Sequence, residues 1–349
     1  MIEIDGSYRE GGGQILRTAL SFSCLFRKPF RIFNIRKGRK RHGLMPQHLT
    51  CVRALQLLSG AEVKGDSTGS TELIFSPGEV QAGDYVFDIG TAGSTTLVLQ
   101  TLIPALVFSE GKSTVTLKGG THVPFSPSFH YLGEVFGYFM EILGVEIHLS
   151  IESCGFYPKG GGRVKAEVVP AKTVRPLKVT ERGEITGLAG YSCAGNLPMS
   201  IAERQKNALT EKISSEGIRT RLLSKGFPVD IELVDIPAFG QGTFVFLKSR
   251  AAHSIAGFTS LGAKGKKAEA VGEHAAREFL DYYSTGAALD PYLPDQIVPY
   301  LSLCDEESIF STSRLTEHLI TNLWVIQQFH KCRYAVEGEV GRPGVVKIN

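Results

Sequence analysis

At 349 residues, with 42% hydrophobic and 21% charged side chains, the chain is too long for one ordinary core and too apolar for a disordered or fibrous protein. A net charge of +3 does not by itself mark a nucleic-acid binder, and six cysteines without short paired spacings exclude a disulfide framework and a paired-cysteine zinc site.

In chain order, a short strand over 1–4 leads into Gly11-Gly12-Gly13 and a helix beginning near Gln14. Three glycines let backbone N–H groups turn toward an anion, and the helix N-terminus adds partial positive charge. Arg17 lies one turn into that helix, where its planar fork suits phosphate, and Glu10 is placed to hold a metal or orient a ribose. The glycine spacing fits neither a Walker loop nor a Rossmann fingerprint, and a plain strand–helix turn is the competing reading. A strand follows over 30–35. No acidic residue occurs between Glu10 and Glu62, whereas Arg36, Lys37, Arg39, Lys40 and Arg41 crowd one loop. A local field of one sign attracts polyanions whatever the global balance; a solvated surface loop is the bland alternative.

Apolar spacing of three and four predicts a helix over 47–58, followed by strands over 60–63 and 71–75. The segment 90–100 is a second glycine and hydroxyl loop entering a helix. That helix holds the longest apolar run, Leu97 to Phe108, which is too short for a membrane span and contains Gln100 and Pro104. An amide at Gln100 must find partners, either in the core or on a ligand. After a strand over 113–117 come two Gly/Pro-rich loops, 119–127 and 156–162, in which His122 and Lys159 are weaker contact candidates. A helix over 128–143 and strands over 144–149 and 163–168 follow.

The stretch 184–262 reads as an inserted α/β domain, with a helix over 198–217 and strands over 229–235 and 243–247. A helix over 268–283 is expected to return to the main body. Tyr292-Leu293-Pro294-Asp295-Gln296 then offers a ring to stack on a base, a carboxylate for Mg²⁺ or Mn²⁺, and an amide. Ser311 to Ser313 are N-cap candidates for a helix over 316–329, on which Thr321 and Asn322 share a face with His318. A neighbour that fixes the tautomer leaves one ring nitrogen free as a nucleophile; a satisfied, partly buried histidine is the ordinary alternative. Strands over 332–336 and 344–348 close the chain. Met1 to Asp5 lack the basic start and apolar run of a secretory leader, so a reducing, cytoplasmic setting without a membrane partner is expected.

Three segments thus repeat one plan of helix, turn, strand, link and strand, which predicts an α+β fold of similar modules. The second and third units are separated by more chain than the first and second. The expected division is a large body, 1–183 with 263–349, and an inserted small domain, 184–262.

Taken together, Glu10-Gly-Gly-Gly-Gln-Ile-Leu-Arg17, Ile35-Arg-Lys-Gly-Arg39, Gln47-His48-Leu49, Gly93-Ser94 through Leu99-Gln100, Gly119-Gly-Thr121, Gly155-Phe-Tyr-Pro158 with Gly160-Gly-Gly162, Tyr292 to Gln296 and His318-Leu-Ile-Thr-Asn322 resemble the RNA 3′-terminal phosphate cyclase family. The likeness runs from Ile4 to the last strand and is weak over 184–262. Tyr8-Arg9 and His122 depart from the family's pattern. The resemblance implies repeated βαβαββ modules, like the C-terminal domain of a translation initiation factor, with a smaller domain inserted between them. It also implies a ligase that converts an RNA 3′-phosphate into a 2′,3′-cyclic phosphodiester at the expense of ATP. His318 would attack the α-phosphate of ATP, and AMP would pass from the histidine to the RNA 3′-phosphate. The adjacent 2′-hydroxyl would then displace AMP.

By the same resemblance Gln100, Pro127, Arg17 and Tyr292, Leu293, Pro294, Asp295 and Gln296 would hold the nucleotide. Arg36, Arg39, Gln47 and His48 would hold the RNA end or the phosphates, and Glu10 and Asp295 a Mg²⁺ or Mn²⁺. A homodimer is compatible with the sequence. The rival readings are a ribosome-assembly relative lacking the nucleophilic histidine, a simple RNA-binding module using the 36–41 loop, and an enolpyruvyl transferase on a similar repeated fold.

Overall fold

In the computed structural model, which describes residues 1–215 and 229–349, strand β1 (Ile2–Asp5) pairs in parallel with β2 (Phe30–Phe33). Helix α1 (Gly13–Phe26) connects them. α2 (Pro46–Ser59) follows, and β3 (Glu62–Lys64) and β4 (Leu73–Ser76) complete a sheet of order β1-β2-β4-β3. Alternation decides which face is inside: Phe30 and Ile32 of β2 meet Phe75 and Leu73 of β4, and all four are fully buried. Ile15, Leu16, Ala19, Leu20 and Phe22 supply the stripe by which α1 covers that face.

The second sheet repeats the plan. β5 (Asp84–Asp88), α3 (Thr95–Val107) and β6 (Ser113–Gly119) come first. A helix follows that runs as α4 (Phe129–Tyr131), a π turn (Leu132–Phe136) and α5 (Gly137–Ile142), and then β7 (Ile147–Ser153) and β8 (Gly162–Val168). The strand order is β5-β6-β8-β7, with one parallel and two antiparallel pairs, as in the first sheet. β9 (Lys178–Val179) begins a third sheet that is completed only about 130 residues later.

In the interval β10 (Ile185–Gly195), α6 (Ser200–Ser215), β11 (Val229–Asp235), β12 (Gly242–Ala251) and β13 (Ile255–Leu261) form a separate sheet of order β11-β10-β12-β13. The helix expected over 198–217 ends at Ser215 within the described residues; positions 216 and 217 lie outside them. α7 (Ala268–Thr285) packs on α6, β12 and β13 and buries Val271, Phe279 and Tyr282 in this second core, so it does not return to the main body as expected. The reason is its apolar stripe, which meets Leu209, Leu247 and Phe258 rather than the larger core.

α8 (Pro294–Leu301), β14 (Ser308–Thr312), α9 (Glu317–Phe329), β15 (Tyr334–Glu337) and β16 (Gly344–Ile348) finish the third sheet in the order β15-β16-β14-β9. The whole is a mixed α+β architecture of small four-stranded sheets faced by helices. All six cysteines are buried free thiols, and no helix among the described residues is long and apolar enough to cross a membrane. Among the ties between the second core and the rest, two meet at Cys154. Cys154 N–H donates to the Pro237 carbonyl (2.7 Å), and Phe239 N–H donates to the Cys154 carbonyl (3.3 Å).

Candidate active site

α9 starts at Thr316, whose hydroxyl accepts the Leu319 N–H at 3.1 Å. Ser311 and Thr312, expected as caps, are instead in β14, paired with Val345 and Gly344. The cap places His318 at the second helical position, facing α1, with 49% of its side chain exposed. A nucleotide can therefore reach the ring.

The Nδ1 of His318 is hydrogen-bonded to Oε1 of Gln14. An amide oxygen only accepts, so Nδ1 carries the proton and Nε2 keeps its lone pair. Gln14 is itself oriented, because its Nε2–H donates to the Asp295 carboxylate at 3.0 Å. The neighbour that fixes the tautomer is thus on α1, and not Thr321 or Asn322 on the helix of His318 itself. Those two side chains turn into the helix packing. Thr321 Oγ1 is buried without a partner, while Asn322 accepts from the Thr18 hydroxyl and donates to the Asp295 backbone carbonyl at 2.5 Å.

Nε2 of His318 lies 3.9 Å from Glu10 Oε1. Partial burial lowers the imidazole's pKa below its ordinary value, helped by Arg17 and Arg39, with Asp295 pulling the other way. Burial raises Asp295 against the pull of His318, Gln14 and Arg17. Both directions favour a neutral ring near neutral pH. A pH profile checks this. Measured at subsaturating ATP, the acid limb of any reaction that uses the free ring should have its midpoint below pH 6.5, because the neutral form survives as pH falls through that value. A midpoint at or above 6.5 contradicts the assignment.

The loop before α1 makes the anion side. Gly12 is the N-cap, and no side chain caps it, so the first helical N–H groups stay open. Gly11 has φ +57°, and a Cβ there would stand 3.2 Å from Gly38 N, so this glycine lets the loop lie against the basic loop. A Cβ on Gly13 would strike His48 Nε2 and approach Arg17 Nη1 to 3.1 Å. Arg17 is half-buried and has no hydrogen bond or ion pair among the described residues; burial lowers its pKa, with Cys51 and Asp295 opposing. His48 is buried, and its Nδ1 accepts the Met45 N–H (3.2 Å), which leaves Nε2–H as a donor toward Gly13. Burial, with Arg17 and Arg36 nearby, pushes His48 down to about 3, so this ring binds as a neutral donor.

Glu10 is ion-paired through Oε1 to Arg39, while its Oε2 is buried with no partner among the described residues. Arg36 donates to the Gly43 carbonyl at 3.0 Å, bracing the 36–43 loop. Gln47 accepts the Ser94 N–H at 2.8 Å and so fixes the second glycine loop, where Ser94 caps α3. The Pro127 carbonyl accepts from the Thr96 hydroxyl (2.7 Å).

Beside Asp295, Gln100 Nε2–H donates to Gln296 Oε1 (2.6 Å), and Gln296 Nε2–H donates to the Tyr292 carbonyl (2.7 Å). Leu293 and Pro294 are buried, so Tyr292, Asp295 and Gln296 carry the polar and aromatic character of this segment. The Tyr292 ring is 40% exposed and its hydroxyl donates to Glu278. Asp290, absent from the sequence-based site, anchors the segment. It accepts from Tyr131 OH (2.8 Å) and from the N–H groups of Tyr292 (2.9 Å), Leu293 (3.1 Å) and Gly257 of β13 (3.1 Å). Burial still pushes its pKa up to about 6.

The two departures at Tyr8-Arg9 acquire a role. Tyr8 stacks on Trp324 of α9 with centroids 4.0 Å apart, and Arg9 pairs with Glu317 at 3.0 Å. The stack contributes about 0.5–1.5 kcal/mol and the exposed pair about 0–1 kcal/mol, so the stack is the main tie between the loop and the histidine helix. His122 is fully buried on Phe244, bonded to Thr121 and His130, away from any open surface. Gln14 was the residue that sequence reasoning passed over; a lone amide directly after the three glycines, on an otherwise apolar stripe, was its signal.

Comparison with known proteins agrees over the whole length. The family model described as RNA 3′-terminal phosphate cyclase matches residues 8–336. A Sulfolobus acidocaldarius protein named RNA 3′-terminal phosphate cyclase is 46% identical, over 97% of this chain and 97% of its own. Proteins of the same name from Staphylothermus marinus and Thermococcus kodakarensis are 42% and 43% identical, covering 100% and 99% of this chain and 98% of each of theirs. A solved EPSP synthase from Acinetobacter baumannii overlays with a TM-score of 0.23 at 10% identity, over 59% of this chain and 53% of that one, too weak a likeness to carry weight. With a loop, a histidine and their bridging amide in place and near-complete coverage by these relatives, the chain belongs to the RNA 3′-terminal phosphate cyclase family.

Proposed function

We propose that the chain uses ATP to close the 3′-terminal phosphate of RNA into a 2′,3′-cyclic phosphodiester, carrying AMP first on His318 and then on the RNA end. The observation that supports this most is the Gln14–His318 bond, which leaves Nε2 unprotonated on a ring open to solvent. In the first step Nε2 attacks the α-phosphorus of ATP; a P–N bond forms, the bond to the β-phosphate breaks, and pyrophosphate leaves with the electron pair. An oxygen of the RNA 3′-phosphate then attacks the same phosphorus and frees the ring. A phosphate monoester is a poor electrophile until AMP is attached as its leaving group. The vicinal 2′-hydroxyl then attacks the 3′-phosphorus, loses its proton and expels AMP. It gains the advantage of an intramolecular reaction.

Arg17, His48 and the open N–H groups of α1 face the negative charge gathered on the transferred phosphoryl. Gln100, Gln296, Tyr292 and the Pro127 loop would hold the adenylate, and the 36–41 loop with Gln47 the RNA end. A divalent cation fits Glu10 through Oε2, since Arg39 is ion-paired to Oε1 and Oε2 is buried without a hydrogen-bond donor among the described residues. Asp295 fits less well because Gln14 already occupies it. Mg²⁺ or Mn²⁺ bound there would offset phosphate charge, taking its other oxygens from phosphate and water.

We further infer that the three like sheets are copies of one βαβαββ module. The chain then divides into a body, 1–183 with 263–349, and an insert, 184–262, against which α7 also packs. The assembly-factor reading has nothing to recommend it, since the histidine it should lack is present and oriented.

The test is to incubate the protein with α-labelled ATP and a divalent metal, then denature. The expected result is an acid-labile, alkali-stable label that RNA bearing a 3′-phosphate discharges while its end becomes cyclic. Label that RNA cannot discharge, or no label at all, refutes the reading.

A further inference from the structure

Among the described residues six aromatic side chains are strongly exposed. Three of them rest on another ring: Tyr8 on Trp324, Tyr138 on Phe139, and Tyr292 edge-on to Tyr131. The remaining three, Phe125, Tyr157 and Phe239, have no ring partner there and are 103%, 70% and 69% exposed. Bare rings are costly to leave in water, and scattered ones need no explanation. These three are not scattered.

They stand on three loops that are hydrogen-bonded to one another. The Gly155 carbonyl accepts the N–H groups of Thr121 (2.9 Å) and His122 (3.2 Å), which joins the Phe125 loop to the Tyr157 loop. Cys154 exchanges bonds with Pro237 and Phe239, which joins the Tyr157 loop to the loop of the second core. The ring of Phe239 lies over Gly161, where a Cβ would come within 2.8 Å of it. The stem of Lys159 runs along Gly240, 3.1 Å from where its Cβ would be, and its ammonium has no ion pair among the described residues.

The crown of rings is continuous with the active site. Gly160 packs on Thr91 and Ala92, where a Cβ would meet backbone at 2.8 Å. Two residues on, Ser94 N–H is held by Gln47, and the next residue, His48, lies against Gly13 beside Arg17. In the basic loop Lys40 and Arg41 are exposed and also lack ion pairs among the described residues.

We infer that the crown of Phe125, Tyr157 and Phe239, with Lys159, is a stacking track for the single-stranded RNA that leads into the reacting 3′ end. The inference rests on the cyclase reading above. Aromatic rings beside unpaired cations are what a sequence-tolerant single-strand site requires, because every base has a π-face and every link carries a phosphate. A protein partner would bury the rings as well, but it is phosphate, repeated at every link of a single strand, that supplies Lys159 a counter-charge beside stacked rings.

The experiment compares two substrates, a dinucleotide and a decanucleotide that both end in a 3′-phosphate. The wild-type protein should show the lower KM for the decanucleotide. In Tyr157→Ala/Phe239→Ala, KM for the decanucleotide should rise by about ten-fold or more, from the loss of about 1–3 kcal/mol per stacked base. KM for the dinucleotide and the rate of self-labelling by ATP should not change. Tyr157→Phe should keep the wild-type behaviour, since it keeps the ring. Equal KM rises for both substrates, no rise in either, or a dimer that falls to monomer with the KM for RNA unchanged would each overturn the track. If the wild-type protein closes both substrates with the same KM, the track falls and the cyclase reading stands. If it closes neither, both fall.

Discussion

His318→Asn should carry no covalent AMP and should close RNA ends at least about 10⁴-fold more slowly than the wild-type protein, since losing a nucleophile removes the covalent route itself. Asparagine keeps a polar side chain of similar reach, and the site is about half exposed, so the fold should be undisturbed. Unfolding free energy within about 0.5 kcal/mol of wild type is the accompanying expectation. The measurement is label retained after denaturation, beside a thermal melt. Label on the variant above about one hundredth of the wild-type amount would move the nucleophile elsewhere. Three other histidines are already engaged. His48 is buried with Nε2 protonated, and His122 and His130 are bonded to each other.

The second large effect is expected at a residue that never touches phosphorus. Gln14→Leu removes the acceptor that holds the proton on Nδ1 and the donor that satisfies Asp295. The ring then samples both tautomers and other rotamers, and a buried carboxylate loses a partner. We expect self-labelling to slow by about 10²–10³-fold, the scale seen when an imidazole must offer one particular nitrogen and loses the group that orients it. Gln14→Glu separates orientation from mere packing. A carboxylate still accepts from Nδ1, so more of the rate should return, but the added negative charge favours the imidazolium. The acid limb of the pH profile should therefore move upward. If Gln14→Leu labels at the wild-type rate, the amide bridge has no part in catalysis.

How much of this was legible beforehand differs by element. Helices with a clean apolar stripe were read well: 47–58 became Pro46–Ser59, and 316–329 became Glu317–Phe329. Some strands were missed despite strand-favouring residues, such as Ser308–Thr312, and others because their composition argues against a strand. Ile185–Gly195 reads Ile-Thr-Gly-Leu-Ala-Gly-Tyr-Ser-Cys-Ala-Gly, and only pairing on both edges, with β11 and β12, holds it extended. Asp84–Asp88 shows the opposite difficulty, an edge strand flanked by acids and exposed at alternate positions. In the site, the motifs announced which residues would meet, because Glu10, Arg17, His48, Asp295 and His318 do gather in one place. They could not announce who orients whom. The Gln14–His318 contact joins positions 304 residues apart, and the fourfold role of Asp290 depends on Gly257 arriving from another core. Local spacing pointed to Thr321 and Asn322, because the sequence shows helix faces and conceals the neighbour across the interface.

That separation of Gln14 from His318 also orders events in time. Translation runs from α1 toward α9, so the amide is made 304 residues before the imidazole it orients. Their hydrogen bond, and the stack of Tyr8 on Trp324, can form only after α9 has been synthesised.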